Sequence, residues 1–134
     1  MTVDLKKVRA IEAMNKKLHW AAPTETVRAA AQRMHQLGIR ALLVSSSEPD
    51  DMPGILTSKD IVNLVAGQDP ALLDTARVAD IMTRPAICVP GHITLLDCVN
   101  LMRMTGVRRV PVLDGTEVVG IVSTSDVFAL LLKG

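Results

Sequence analysis

Two apolar periodicities alternate along the chain. Over "TVRAAAQRMHQLG", apolar residues return every three or four positions, which lines one face of a helix. Around "RALLVSS" and "GILT" they run together or alternate, as strand residues do when one side is covered. A third periodic stretch, "SKDIVNLVAG", is helical again. The second half of the chain follows the same order: "TLLDCVNLMRMTG" as helix, "RRVPVLD" and "TEVVGIVS" as strands, then "TSDVFALLLKG" as helix. A short extended piece precedes each set, "LHWAA" and "AICVP". Hydroxyls at Thr26 and Thr94 suit helix N-caps, and Gly38 and Gly106 suit helix ends. Thr94 with Asp97 predicts a capping box, while Ala29 leaves the first copy without one. Asp114-Gly115 marks a tight turn. A further helical piece is predicted ahead of each set, in "VDLKKVRAIEAMNKK" and "ALLDTARVADIMTR".

The parallel order is a duplication. Shifted by 68 positions, residues 14–44 fall on 82–112 without a gap, so Met14 meets Met82, Met34 meets Met102 and Arg40 meets Arg108. Beyond "SSSEPDDMP" the offset becomes 66, and Gly54, Thr57 and Asp60 meet Gly120, Ser123 and Asp126. A length change confined to a turn is what a structural repeat tolerates. The predicted fold is α/β: two β-α-β-β-α repeats packed with pseudo-two-fold symmetry. Residues 1–67 form the first repeat with its N-terminal helix, 68–134 form the second, and together they make one compact module. Each sheet has one apolar face to cover, so neither repeat is expected to close a core alone.

Composition narrows the possibilities. The 134 residues carry 15 basic and 14 acidic side chains, which speaks against a nucleic-acid footprint or a polybasic membrane anchor. The mixed charges of "MTVDLKKVRAIEAM" do not read as a signal peptide, and no apolar run is long enough for a bilayer. A soluble, cytoplasmic protein is expected. Trp20 and Phe128 are the only aromatic residues, so the core must be aliphatic. Cys88 and Cys98 have no metal-type spacing and no base placed to activate them. His19, His35 and His92 form no spacing that suggests a metal or a catalytic dyad. No nucleophile–base pair or acid–base carboxylate pair emerges, and an enzyme is not expected.

Chemistry concentrates in "GILTSKD" and "GIVSTSD". Thr57-x-x-Asp60 is a helix capping-box pattern, and a single occurrence would be a cap and nothing more. Its repetition as Ser123-x-x-Asp126, in the same context, raises the binding reading. With "IMTRPAICVP" and "GVRRVPVLD", these motifs make the chain resemble a tandem pair of CBS (cystathionine-β-synthase) domains, a Bateman module, over about Val8 to the C-terminus. No catalytic or membrane domain accompanies the pair in this sequence, so it looks like a free-standing module.

The resemblance implies a regulatory module that binds adenine nucleotides in clefts between the repeats. The ligand class is AMP, ADP, ATP or S-adenosylmethionine, and no cofactor is required. Asp126 and Asp60 would hold ribose hydroxyls, as acidic residues do in dinucleotide folds. Ser123, Thr124 and Ser125 in one site, and Thr57, Ser58 and Lys59 in the other, would face phosphate at a helix N-terminus. Thr83, Arg109 and Pro111 join the second site. Backbone groups at Ala86 and Ile87 there, and at Leu18 and His19 in the first site, would read the base edge. Val110, Pro111 and Ile121 are the aliphatic neighbours expected to sandwich the ring, and Arg40 and Arg108 are candidate phosphate contacts. Trp20 either stacks on a base or fills the aliphatic core. The second copy follows the family pattern more closely, because Asn15, Lys17, Ala41 and Leu43 stand where it has Thr83, Pro85, Arg109 and Pro111. A homodimer and a regulated protein partner are implied, with no nucleic acid and no membrane. The competing reading is a ligand-free interaction or dimerisation module.

Overall fold

The computed structural model describes residues 3–46, 48, 51–67 and 69–133. In chain order its elements are α1 (Ala10–Ala13), β1 (Trp20–Ala21), α2 (Val27–Leu37), β2 (Ala41–Val44), β3 (Gly54–Thr57), α3 (Ser58–Ala66), α4 (Leu72–Thr75), α5 (Val78–Ile81), β4 (Val89–Pro90), α6 (Leu95–Thr105), β5 (Arg109–Asp114), β6 (Glu117–Ser123) and α7 (Thr124–Leu131). The mixed α/β architecture expected from the periodicity is present, with two three-stranded sheets among the described residues, ordered β1-β2-β3 and β4-β5-β6. In each, the outer short strand runs parallel to the central one, and the other two strands form an antiparallel pair. Gly38 and Gly106 end α2 and α6 with φ of 67° and 77°, the left-handed conformation that glycine reaches without strain. The β5–β6 turn falls one residue later than the Asp114-Gly115 signal: Asp114 still pairs with Glu117, and Gly115, at φ 62°, opens the turn.

The compact units cross the two sequence repeats. Residues 19–86 form one unit; the other joins residues 1–18 to residues 87–134. The dividing line at 67/68 is therefore not a boundary between structural bodies, because each sheet-bearing set is completed by the segment that precedes the other. In the unit of residues 19–86, Val27 N–H donates to Ala76, Val78 N–H to Glu25 and Ala79 N–H to Pro23. In the other unit Leu95 donates to Val8, Ala10 to Ile93 and Ile11 to Gly91, the same three bonds at the repeat offset. The same two segments then reach the sheet edges: Thr83 and Ile55 exchange both backbone bonds at 2.9 Å, and Asn15 and Ile121 do so at 2.8 and 3.0 Å.

This docking shortens the helical pieces predicted ahead of each repeat. Only Ala10–Ala13 is helical in the first, and only Leu72–Thr75 and Val78–Ile81 in the second. Met14 and Met82, at ψ of 152° and 160°, leave the helical conformation so that the next residue can pair with the sheet. Tertiary hydrogen bonds override the local helical pattern there. The capping box expected at Thr94 is half formed. Its hydroxyl accepts from Asp97 N–H at 3.2 Å, and the reciprocal bond from Thr94 N–H to the Asp97 carboxylate is missing.

Both cores are aliphatic and match position by position. Ala21, Ala30, Met34, Leu42, Val44, Leu56 and Val78 in one unit correspond to Val89, Cys98, Met102, Val110, Val112, Val122 and Ala10 in the other. Val78 and Ala10 are contributed by the docked segments, so docking completes each core as well as each sheet edge. Docking also fixes two glycines. A Cβ on Gly120 would lie 2.3 Å from Met14 Sδ, and one on Gly54 would lie 3.0 Å from Met82 Sδ. Gly120→Ala is therefore expected to cost about 1–3 kcal/mol by overpacking. Gly67→Ala, with nothing within 4 Å of the new methyl, should change stability by less than about 0.5 kcal/mol. Urea denaturation compares the two, and equal effects would contradict the docking account.

Candidate ligand-binding site

Each unit carries one hydroxyl–carboxylate box where a strand runs directly into a helix. In the unit of residues 19–86, Thr57 ends β3 and caps α3. Its N–H and its hydroxyl both donate to Asp60 Oδ2, at 2.8 and 2.9 Å, and Asp60 N–H donates back to Thr57 Oγ1 at 3.3 Å. In the other unit Ser123 ends β6 and caps α7 by the same three bonds with Asp126, at 3.1, 2.8 and 3.1 Å. The first helical N–H of each helix is also satisfied: Ser58 donates to the Arg40 carbonyl and Thr124 to the Arg108 carbonyl, both at 2.9 Å. These contacts use the backbone carbonyls alone and leave the identity of the two arginine side chains unexplained.

Some groups remain unused among the described residues. Each aspartate commits Oδ2 twice while Oδ1 accepts nothing, and the N–H groups of Lys59 and Ser125 have no acceptor. The Thr57 and Ser123 hydroxyls, expected to face phosphate, give their single proton to the aspartate. The donors left for an anion are the Lys59 or Ser125 amide, the hydroxyls of Ser58, Thr124 and Ser125, the Lys59 ammonium, and the exposed side chains of Arg40 and Arg108, none of which makes a hydrogen bond among the described residues. A free carboxylate oxygen beside a free amide at a positive helix end is suited to a hydroxyl donor flanked by an anionic group.

Strand alternation sorts the neighbouring side chains. Val110, Val112 and Val122 point into the core of their unit, so Val110 is withdrawn from the surface expected to sandwich a ring. Arg109, Pro111, Ile121 and Ser123 take the opposite face, with Arg109 paired to Ser123 and Pro111 to Ile121, but Pro111 is fully buried there and is withdrawn from a ring as Val110 is. In the other unit Ala41 pairs with Thr57 and Leu43 with Ile55 on the corresponding face. The two boxes also differ in charge: the strand position opposite Ser123 carries Arg109, where the other unit has Ala41, and α3 carries Lys59, where α7 has Ser125.

The docked segments redistribute the expected site residues. Thr83 and Ala86 belong to the unit of Asp60, where Thr83 pairs with Ile55, two residues before Thr57. The position facing Ile121, two residues before Ser123, is taken by Asn15. Asn15 was not among the expected residues. Its only signal was the match of 15 with 83 at the repeat offset, which does not say which sheet the segment joins. Ala86 is buried and gives its N–H to Pro53 at 2.8 Å, so that group cannot also read a base. The His19 carbonyl accepts from Leu43 N–H, while Leu18 lies in the unit of Asp126. Ile87 is at the surface, and Trp20, 40% exposed, does not fill the core. A separate open groove of about 370 Å³, lined by Arg28, Ala31, Gln32, His35, Gln36 and Leu73, shares no residue with either box.

The profile of the CBS domain matches the chain twice, over residues 8–67 and 78–133. The chain belongs to the CBS-domain family. As a tandem CBS pair it is 34% identical over 120 residues to Hypoxic response protein 1 of Mycobacterium tuberculosis, covering 88% of this chain and 81% of that protein. It is 31% identical to an uncharacterised protein of Methanopyrus kandleri, of whose length it spans 62%. Among solved structures, the hexameric CBS-CP12 protein from bloom-forming cyanobacteria is similar with a TM-score of 0.82 at 32% identity, covering 90% of this chain and 69% of that one. The CBS domain pair of protein MJ0100, in complex with 5′-methylthioadenosine and S-adenosyl-L-methionine, is similar with a TM-score of 0.78 at 25% identity, covering 92% and 94%.

The cysteines of this CBS pair lie in settings that suppress reactivity. Burial pushes the Cys88 thiol up to about 11; burial and the nearby Asp97 charge do the same for Cys98. At pH 8 only about a thousandth of either thiol is ionised. Iodoacetamide at pH 8 should therefore label both slowly in the folded protein and rapidly in urea. Fast labelling of the folded protein would contradict the burial argument.

Proposed function

We propose that this CBS pair is a regulatory module that binds an adenosyl ligand, namely AMP, ADP, ATP or S-adenosylmethionine, at its two hydroxyl–carboxylate boxes. The observation that carries the reading is the duplicated box with one carboxylate oxygen left free. A helix cap alone uses one side of the carboxylate. The free Oδ1 of Asp60 and of Asp126 is an acceptor for ribose hydroxyls, and the unbonded Lys59 and Ser125 amides are donors for a phosphate or carboxylate. The adenosyl ligands of the MJ0100 pair support the ligand class. No part of the proposal requires a catalytic step. Ligand would shift the module between conformations by its differential affinity, and a cytoplasmic protein partner would read the shift.

A homodimer is part of the proposal, supported by the hexameric relative and by the outer side of α7. Phe128 is 64% exposed there and Leu132, just beyond the helix, 72%. The same apolar face favours the second reading, an interaction module that works without ligand.

Thermal melts with AMP, ADP, ATP and S-adenosylmethionine separate the two readings. Binding predicts stabilisation of about 2.7 kcal/mol at a hundredfold excess over the dissociation constant. Asp60→Ala and Asp126→Ala should each cost about 1 kcal/mol from the lost cap. Each should also remove part of the ligand response, and the double variant all of it. A flat response of the wild-type protein to every ligand favours the interaction module.

A further inference from the structure

Arg84 occupies a position that the repeat offset assigns to Lys16 in the other segment, and the two side chains behave differently. Lys16 is exposed and makes no hydrogen bond among the described residues. Arg84 is partly buried, and its Nη2 donates to the Val44 carbonyl at 3.1 Å and to the Ser45 carbonyl at 2.7 Å, at the C-terminal end of β2. Its Nε is buried without a partner. That atom would lie 3.3 Å from a Cβ on Gly54, so the missing side chain at Gly54 makes room for the guanidinium. Arg84 therefore ties the segment 82–86 across β3 to β2. The Thr83–Ile55 pair lies on one side of this tie and the Ala86–Pro53 bond on the other.

We propose that Arg84 is a positioning residue for the Asp60 box. It holds the docked segment in register on β3. The pairing of Thr83 with Ile55 places Thr83 on the same sheet face as Ile55 and Thr57, the residue that carries the box. Arg84 itself does not touch the ligand in this account. The Asp126 box has no counterpart, because Lys16 ties nothing across the sheet: Asn15 is held on β6 by its two backbone bonds, and its side chain accepts only the local Lys17 N–H at 2.9 Å. The two sites of one chain thus differ in how their edge residue is fixed, and a change at Arg84 is felt at one of them only. The proposal rests on the adenosyl-binding reading.

The test measures binding of AMP and of 5′-methylthioadenosine by calorimetry in two backgrounds. Asp126→Ala leaves the Asp60 box, and Asp60→Ala leaves the Asp126 box. Adding Arg84→Ala should weaken binding about tenfold in the first background, the order expected when two positioning hydrogen bonds are lost. In the second it should leave affinity within about twofold. Arg84→Lys, which keeps a cation but loses the guanidinium that meets the Val44 and Ser45 carbonyls, should give the same selectivity if Arg84→Ala folds poorly. Amide exchange followed by NMR should speed up at Ile55 and Thr83 in Arg84→Ala and stay unchanged at Ile121 and Asn15. Equal losses in both backgrounds, no loss in either, or unaltered exchange at Thr83 would overturn the positioning role. A wild-type protein that binds neither probe overturns the adenosyl reading instead, and the positioning role falls with it.

Discussion

A three-stranded sheet with an unpaired edge and a half-covered face does not stand alone, and in this chain the remedy is exchanged between the repeats. The segment ahead of the first repeat pairs with β6, and the segment ahead of the second pairs with β3. Unpaired strand edges and buried backbone groups without partners are both costly, and one docked segment removes both problems at once. Much of the rest follows. Ala10 and Val78 complete the two cores from these segments, and Gly54 and Gly120 lack side chains where Met82 and Met14 pass over them. The strands so covered lead straight into Thr57 and Ser123, so what fixes the edge also fixes the box.

The boxes are structural devices that leave a group free for the second use proposed for them. A capping box is complete when a hydroxyl accepts from the third helical N–H and the carboxylate accepts from the cap N–H. Here the carboxylate does this with Oδ2 alone, and also takes the hydroxyl proton. That concentration on one oxygen leaves the other available, and it holds the carboxylate rotamer from two directions. A ligand group meeting Oδ1 finds an acceptor already oriented, with little side-chain entropy left to lose. The two boxes are alike in this and differ around it: Arg109 and Asn15 flank one, Lys59 and Thr83 the other.

Most of the fold was legible because the two periods and the turn residues agree. The β3–α3 junction at Thr57-Ser58 and the helix ends at Gly38 and Gly106 fall where hydroxyl and glycine signals put them. What could not be read was long-range. "VDLKKVRAIEAMNKK" has helical character, yet Met14 extends because Asn15 pairs with Ile121, a partner more than a hundred positions away. For the same reason the pairing of Thr83 with Ile55 is not legible in the sequence: proximity to "AICVP" says nothing of it. Val110 looked like a ring contact until strand alternation turned it inward. The boxes of Asp60 and Asp126 stand out in the sequence as a repeated polar motif in an aliphatic chain, whereas Arg84 carries no motif and shows itself only through the two carbonyls it meets.

The central claim is that each hydroxyl–carboxylate box is a ligand site and not a cap alone. Equilibrium dialysis of the protein against AMP counts the sites directly. The account predicts that binding saturates at two nucleotides per chain, one for each of the two boxes. It predicts one for Asp60→Ala, one for Asp126→Ala and none for the double variant, with the fold retained in all. Undiminished binding of AMP by the double variant would contradict it.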